Sequence, residues 1–389
     1  MSRVRRLGAM VVALALLAWG QAPAQDSAQE SGCAAPAPVC AARAAVFPLG
    51  SRFDPLASAV RIGPDLLVTS RHVMADETRA ELRLRDGRRL VAEVVPSGYP
   101  GDLVLLRAAG LGEGPVLARA AAGPETVLYA IGLDIARRRV RATAPGRLIL
   151  APAPGHGLAR LYHSAASQPG NSGGALVDGA GRLVGIVAAG GEGRNEAIPA
   201  TALDLLRAES GPAYAEDSRA RGAATRACIE ALEQAARAAA GLTQALAEIL
   251  ERRCPESGNR QFLDLAGQAF GRAAHHDRAI ALFERALAED PHAINARIGL
   301  AVTLQRARRH GAAVPHLDWL LDVVPSDLRV LRLATLSAKS GGAPALGRRA
   351  LALMQAHHPA MAPAARKFLG APRDPPAPLP VPPPAPAPP

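Results

Sequence analysis

Three short segments of this 389-residue chain carry the residue types that acyl transfer requires. TSRHV at 69–73 contains His72, GDLVLL at 101–106 contains Asp102, and QPGNSGGAL at 168–176 contains Ser172. A serine hydroxyl can attack a carbonyl carbon when a histidine takes its proton and an acid orients that histidine. Glycines beside the serine let backbone N–H groups point at the oxyanion that develops. His72, Asp102 and Ser172 are therefore the candidate catalytic residues.

The order of these residues separates two folds that both place a serine between glycines. In α/β-hydrolases the acid and the histidine follow the serine along the chain. Here the first histidine after Ser172 is His275, which lies in a region with a helical pattern. The order His72, Asp102, Ser172 therefore argues against an α/β-hydrolase.

Residues 45–206 are expected to be rich in β-structure, because short apolar stretches alternate there with turn signals. The Asp86-Gly87 pair stands between two alternating arms, which is a strong hairpin signal. Many short strands at this spacing favour a β-sandwich or a pair of barrels over alternating strands and helices.

The segments TSRHV, GDLVLLR, PGNSGGALV and EAIPATAL (196–203) resemble the trypsin-like serine proteases, most closely the exported HtrA/Deg branch. Separations of 30 residues from His72 to Asp102 and 70 residues from Asp102 to Ser172 suit that branch. The resemblance covers less than half of the chain. It implies a chymotrypsin-like double β-barrel over residues 45–208, peptide bonds as the substrate, and no cofactor. No histidine or second cysteine stands at zinc spacing from the cysteines, so a metal site is not expected either.

The resemblance also assigns a role to each candidate. Ser172 would be the nucleophile, His72 the general base and then the acid, and Asp102 the group that fixes the imidazole tautomer. The N–H groups of Gly170 and Ser172 would form the oxyanion hole. Asn171 stands where digestive trypsins carry an aspartate that pairs with a new N-terminus, so activation by N-terminal trimming is not expected.

The specificity pocket is expected to be small and apolar. Ala166, six residues before Ser172, would form its floor, and Ala188, Ala189 and Gly190 would line its wall. No acid is offered to a basic substrate side chain, so a small apolar residue before the cleaved bond is predicted.

The chain departs from the family pattern in three places. Ala57-Ser58-Ala59 replaces the usual Gly-Ser-Gly before the histidine strand. Leu133-Asp134-Ile135 follows Gly132 where the family has Asn-Pro-Phe-Gly. No PDZ module follows the protease-like segment. The first two differences concern loop regulation more than the chemistry.

The C-terminal half has a helical pattern with a period of 34 residues. Pro291, Pro325 and Pro359 recur at this spacing, and Ala279 and Ala313 match at the same period. Residues 258–370 therefore resemble tetratricopeptide repeats, for which 34 is the known period. Such arrays present a concave face to peptides or partner proteins. The repeats are interpreted as a recruiting module, with a stabilising cap on the protease as the alternative.

Four cysteines in an exported chain favour disulfides, and three pairings are possible. Cys33 and Cys40 are close in sequence. Cys228 and Cys254 flank a predicted helical hairpin over 218–257, centred on Gly241. Local pairs are therefore preferred.

The two ends of the chain show a targeting pattern and a proline-rich pattern. Residues 1–24 have the basic start, apolar run and small-residue cleavage site of a signal peptide. Linkers are predicted at 25–44 and 209–217, and residues 371–389 contain 11 prolines, typical of a disordered tail. The predicted export favours a location in the periplasm. No stable membrane span is expected once the signal peptide is cleaved.

Composition limits the remaining functions. Apolar residues make up 49% of the chain, enough for real cores, and the formal net charge is +11. The arginines are spread along the chain and aromatics are 3%, so nucleic-acid binding is not expected. We predict an exported serine endopeptidase in which a double β-barrel is followed by an α-solenoid. The alternative is an inactive protease-fold scaffold that acts through its repeats.

Overall fold

The structure, a computed structural model, describes residues 32–191, 193–238 and 241–370. The predicted signal peptide (1–24) and proline-rich tail (371–389) lie outside the described residues. The chain divides into a short unit, Met1–Ala34, and a large one, Ala35–Pro389, and the described helices and strands all lie in the large unit. No described helix is long and apolar enough to span a membrane.

Within the described residues, six strands close the first barrel in the order β1-β2-β3-β6-β5-β4. A short helix, α1 (Ala37–Ala42), precedes it inside the predicted 25–44 linker, and α2 (Arg71–Met74) follows the third strand. The strands are β1 (Val46–Gly50), β2 (Ala57–Arg61), β3 (Leu66–Ser70), β4 (Arg79–Arg83), β5 (Arg89–Val95) and β6 (Leu103–Arg107). The Asp86-Gly87 turn joins β4 to β5, and Gly87 has a φ of 85° there.

The second barrel is a seven-stranded sheet among the described residues, in the order β11-β12-β13-β10-β9-β7-β8. A pairing of β11 with β7 closes six of these strands into a ring, and β8 extends the far half of β7. The elements are β7 (Val127–Asp134), β8 (Arg139–Ala142), β9 (Gly146–Leu150), β10 (Leu161–His163), β11 (Ala175–Asp178), β12 (Leu183–Ala189), β13 (Asn195–Pro199) and α3 (Ala202–Ala208).

Apolar runs on the central strands arise because both faces are buried. Side chains of a strand alternate between faces. On β6, Val104 and Leu106 fill the first barrel, whereas Leu103 and Leu105 enter a separate cluster that also contains Ile131 of the second barrel. This shared cluster joins the barrels, and the β3 and β11 ends that carry the candidate residues meet beside it.

The C-terminal half is helical throughout its described part. Its helices are α4 (Ala215–Arg237), α5 (Gln244–Glu256), α6 (Arg260–Arg272), α7 (His276–Glu289), α8 (Ile294–Arg306), α9 (His310–Val323), α10 (Leu328–Ser340), α11 (Pro344–His357) and α12 (Ala362–Leu369). Helices α6, α8, α10 and α12 begin 34 residues apart. The predicted period is therefore present in the helix starts.

The predicted linker at 209–217 is bound to the first barrel. The Glu209 carbonyl accepts from the Gly98 N–H, and Gly211 N–H donates to the Pro96 carbonyl. Helix α4 then begins at Ala215, inside the predicted linker, with Glu216 and Asp217 in its first turn. Acidic side chains there stabilise a helix start through its dipole.

The predicted pair Cys228–Cys254 is present and joins α4 to α5 across the hairpin. Cys33 and Cys40 are also disulfide-bonded. Disulfides of this kind are typical of proteins outside the reducing cytoplasm.

Replacing both Cys228 and Cys254 by serine is expected to lower the free energy of unfolding by about 3 kcal/mol. The bond closes a loop with a sequence separation of 26 residues, and an unfolded chain loses about that much entropy when such a loop is cross-linked. Urea unfolding followed by circular dichroism measures the change. Unchanged stability in the double variant would show that the hairpin packing alone holds α4 and α5 together.

Candidate active site

His72 is held by the carboxylate of Asp102. It lies in α2, directly after β3, and its backbone N–H donates to Asp102 Oδ1 at 2.9 Å. His72 Nδ1 lies 2.7 Å from Asp102 Oδ2, and the two side chains are 16% and 1% exposed. An ionised carboxylate only accepts, so Nδ1 carries the proton and Nε2 keeps a lone pair. The ring is thus a base with a fixed tautomer.

The loop that carries Ser172 lies against the strand that leads to His72. Gly173 has a φ of +77°, and a Cβ placed on it would lie 2.2 Å from Thr69 Oγ1 and 2.3 Å from the Ser58 carbonyl oxygen. Only glycine allows that approach. The structure therefore brings the segment of Ser172 to the end of β3, next to His72.

Ser58 fixes this loop from the first barrel. Its N–H donates to the Ser172 carbonyl at 2.9 Å, and its Oγ donates to the Gly170 carbonyl at 2.7 Å. The same Oγ accepts from the Leu133 N–H at 2.8 Å. Because Ser58 is fully buried, these bonds are shielded from water. Ser58 links both barrels to the residues on either side of Asn171.

The N–H groups of Gly170 and Ser172 make no hydrogen bond within the described residues. Gly170 has a φ of +92°, and Asn171 is buried with its Oδ1 accepting from the Gln168 N–H at 3.0 Å. The Asn171 side chain thus shapes the loop from inside. Two unpaired donors on a rigid loop are what an anionic substrate oxygen requires.

The predicted pocket residues come together around Asn195. Ala166 is exposed, Ala188 is buried, and a Cβ on Gly190 would lie 3.4 Å from Ser167 Oγ. Asn195 Nδ2 donates to the Ala165 carbonyl at 2.7 Å, and its Oδ1 accepts from the Gly191 N–H at 3.0 Å. Asn195 therefore joins the segment that contains Ala166 to the one that contains Gly190.

The pKa of His72 is raised by its partner. Burial lowers it, but the charge and the hydrogen bond of Asp102 raise it more, and Arg160 opposes them. Burial raises the pKa of Asp102, while His72 and Arg160 lower it more strongly, so Asp102 stays ionised. The pair is therefore a carboxylate and an imidazole whose basicity is set by two opposing charges.

Arg160 connects Asp102 to the repeats. Its guanidinium Nη2 lies 4.0 Å from Asp102 Oδ2 and donates to Asn259 Oδ1 at 2.9 Å. Its Nη1 donates to Glu196 Oε2 at 3.2 Å, and the Arg160 side chain is only 3% exposed. Asn259 is the residue before α6, so a single buried cation contacts both the candidate site and the first repeat.

Arg160 belongs to a buried cluster of charged side chains that pair with one another. Arg260 of α6 pairs with Glu196, lies 3.5 Å from Asp264, and lies 3.5 Å from Asp290. Burial and then Glu196 raise the pKa of Asp264 to about 7. The cluster contains two arginines, Arg160 and Arg260, and three acids, Glu196, Asp264 and Asp290. One bound proton balances this charge, which explains why the pKa of Asp264 is raised. A buried charge left without its partners is costly, so the repeats and the barrel are one electrostatic unit.

Helix α4 and the turn after α5 also pack on the loops of His72 and Asp102. A Cβ on Gly222 of α4 would lie 2.6 Å from the Ala75 carbonyl oxygen. A Cβ on Gly258, with φ +70°, would lie 1.8 Å from the Pro100 carbonyl oxygen. Both glycines therefore let the backbone of the C-terminal half contact the chain within three residues of His72 or Asp102. The C-terminal half therefore supports the site directly.

Replacing Arg160 by methionine is expected to raise the pKa of His72, because the buried cation that lowers this pKa is lost. A reaction that needs neutral His72 would then lose activity at a higher pH on its acid side. The pKa is measured from the histidine ring signals by NMR, beside the pH profile. Arg160→Lys retains the charge and should titrate like the parent. An unchanged His72 pKa in Arg160→Met would show that the cluster acts only on folding.

Sequence reasoning missed Arg160, Asn195 and Ser58. Ser58 could have been found, because it is the one family residue kept within Ala57-Ser58-Ala59. Nothing in the sequence marks Arg160, since its partner Asn259 is 99 residues away.

Two family models match separate parts of the chain. Residues 57–186 match the family model of the trypsin-like peptidase domain, and residues 272–336 match that of the tetratricopeptide repeat. Among curated proteins, no match was found.

Three solved structures similar to parts of the chain are described as proteases. The HtrA-type protease AlgW with tripeptide is 31% identical, with a TM-score of 0.40, and the match covers 44% of this chain and 62% of that one. The serine endoprotease from Yersinia pestis is 28% identical, with a TM-score of 0.38 and coverage of 44% and 65%. The Rv3671c protease, in an inactive form, is 22% identical, with a TM-score of 0.39 and coverage of 45% and 97%. The chain spans less than two thirds of the first two structures. The chain therefore contains one region similar to the trypsin-like peptidase domain and one region similar to the tetratricopeptide repeat.

Proposed function

We propose that the protein is an exported serine endopeptidase that acts through an acyl-enzyme on Ser172. The observation that carries the proposal is the 2.7 Å contact between His72 Nδ1 and the buried Asp102 carboxylate. It lies in a trypsin-like peptidase domain, beside a glycine loop that bears a serine. The disulfides support a location outside the cytoplasm, and we propose the periplasm.

The reaction assigns each group one task. Ser172 Oγ attacks the carbonyl carbon while His72 Nε2 takes its proton, and the imidazolium is stabilised by Asp102. The oxygen of the tetrahedral intermediate accepts from the N–H groups of Gly170 and Ser172. The C–N bond then breaks, and His72 returns the proton to the leaving amine. Water, activated by the same histidine, releases the acyl group.

The alternative, a protease-fold scaffold, has one observation in its favour. Ser172 Oγ makes no hydrogen bond to His72 among the described contacts. Catalytic hydrogen bonds in unliganded enzymes are often long and tighten when substrate binds. The Asp102 contact would be needless in a scaffold, and we therefore favour the peptidase. A Ser172→Ala variant that keeps full biological function would favour the scaffold.

Cleavage of unfolded casein by the mature chain tests the proposal. Mass spectrometry of the fragments should show cuts after small apolar residues, because Ala166, Ala188 and Gly190 offer neither a charge nor a deep pocket. Ser172→Ala, prepared identically, should give no fragments. Equal cleavage by the variant, or none by either protein, would contradict the proposal.

A further inference from the structure

A cavity of about 410 Å³ lies between the peptidase domain and the repeats. One wall is the end of β12 and the segment after it, with Ala189, Gly190 and Gly191. The other wall is made mainly by α6 and α8, which are the first helices of successive repeats, and by Arg329 of α10. Ala189 and Gly190 are also the predicted wall of the substrate pocket. A polypeptide that follows this wall away from Ser172 would therefore enter the cavity.

The open side of the cavity is positively charged. Its lining includes four arginines, Arg194, Arg272, Arg306 and Arg329. Its acidic residues, Glu196 and Asp264, are buried and lie against Arg260. Their charge is thus balanced from behind, and of the four arginines Arg194 is buried and pairs with Asp327.

Two of these arginines are available for a ligand. Arg272 and Arg306 are exposed, and neither forms a salt bridge with a described residue. Arg306 donates to the Gly271 carbonyl at 3.2 Å, which holds its guanidinium near Arg272 at the end of α6. Guanidinium groups bind carboxylates strongly when the geometry permits two parallel hydrogen bonds.

The inner part of the cavity suits a polypeptide backbone. Asp264 lines this part but is only 3% exposed, and its carboxyl group lies against Arg260 behind the wall. A Cβ on Gly191 would have nothing within 4 Å, so the wall there is open to an approaching main chain.

We propose that this cavity binds the substrate segment that precedes the cleaved bond, and that this segment is acidic. Arg272 and Arg306 bind the carboxylates of the segment, and its main chain passes the open wall at Gly191. The inference rests on the proposed peptidase function, because it places the segment on the same wall as the substrate pocket. It defines the substrate class as proteins with Asp or Glu a few residues before a small apolar residue.

Internally quenched peptides test the charge preference. Two peptides share Ala before the scissile bond and differ in three upstream residues, which are Glu in one and Gln in the other. The parent protein should have about tenfold higher kcat/KM on the Glu peptide, since each exposed ion pair contributes a few-fold and several act together. The difference should lie in KM and shrink as salt is added.

Charge reversal identifies the residues. Arg306→Glu and, separately, Arg272→Glu should remove the preference for Glu, so that the ratio of kcat/KM between the Glu and Gln peptides falls to about one. Arg252, an exposed arginine of α5 outside the cavity, provides the matched control, and Arg252→Glu should keep the tenfold preference. Both cavity positions are exposed, so these variants are expected to fold.

Binding without cleavage separates this inference from the proposed function. The same peptides carrying a single fluorophore are titrated into Ser172→Ala and into Ser172→Ala with Arg306→Glu, and anisotropy is measured. Tighter binding of the Glu peptide that Arg306→Glu removes would support the site, even if the parent cleaves nothing and the peptidase proposal fails. Cleavage by the parent with equal kcat/KM and equal binding for both peptides would overturn the site and leave the peptidase proposal intact.

Discussion

Replacing Ser172 by alanine is expected to reduce kcat for peptide hydrolysis on the order of 10⁶-fold. Loss of the nucleophile costs about that much where nucleophile, base and acid act as one unit. The remaining N–H donors of Gly170 and Ser172 retain only a small rate above water. An internally quenched peptide with Ala before the scissile bond gives the rate directly. KM should change little, because Ser172 Oγ contributes to the reaction and not to binding.

The matched control is another serine of the same chain. Ser340 lies exposed at the end of α10, in the repeats. Ser340→Ala should keep the parent rate. If Ser172→Ala kept even a tenth of the parent kcat, the nucleophile would be a different residue or the activity would belong to a contaminant.

Replacing Asp102 by asparagine is the prediction with the second largest effect, about a 10⁴-fold loss of kcat near neutral pH. The amide has the same shape but donates as well as accepts, so it no longer fixes the proton on His72 Nδ1. The pKa of His72 should fall, because the charge and the hydrogen bond of Asp102 are what raise it. His72 would then remain neutral to a lower pH.

The pH profile gives this variant a signature. Activity is lost as the pH falls through the pKa of His72, since only the neutral imidazole takes a proton. The acid limb of kcat/KM should therefore move to lower pH in Asp102→Asn and to higher pH in Arg160→Met. A shift in the same direction for both variants would mean that Arg160 does not act on His72 through charge.

Features set by neighbours in sequence were predictable. The Asp86-Gly87 hairpin depends on a turn that only glycine readily adopts, and Gly87 has a φ of 85°. The repeat period is confirmed because each repeat packs on its neighbour, so Ala279 and Ala313 are both fully buried at equivalent places. The Cys228–Cys254 pair followed from the antiparallel hairpin between them.

Features set by distant contacts were not predictable. The repeats were expected either to recruit partners or to cap the protease, and the sequence could not show that Asn259 reaches Arg160 beside Asp102. Gly222 and Gly258 have no local signal either, since their role is to admit the Ala75 and Pro100 carbonyls. These contacts explain why the helical half is a physical part of the site.

The most direct test of the account is the reaction of the mature protein with a fluorophosphonate probe, followed by intact mass. Such a probe labels a serine only when a base activates it and an oxyanion hole is formed. We expect one adduct on the parent protein, at Ser172, and none on Ser172→Ala or His72→Ala. No adduct on the parent at any pH between 5 and 9, a range chosen around the ordinary histidine pKa of about 6.5, would contradict it.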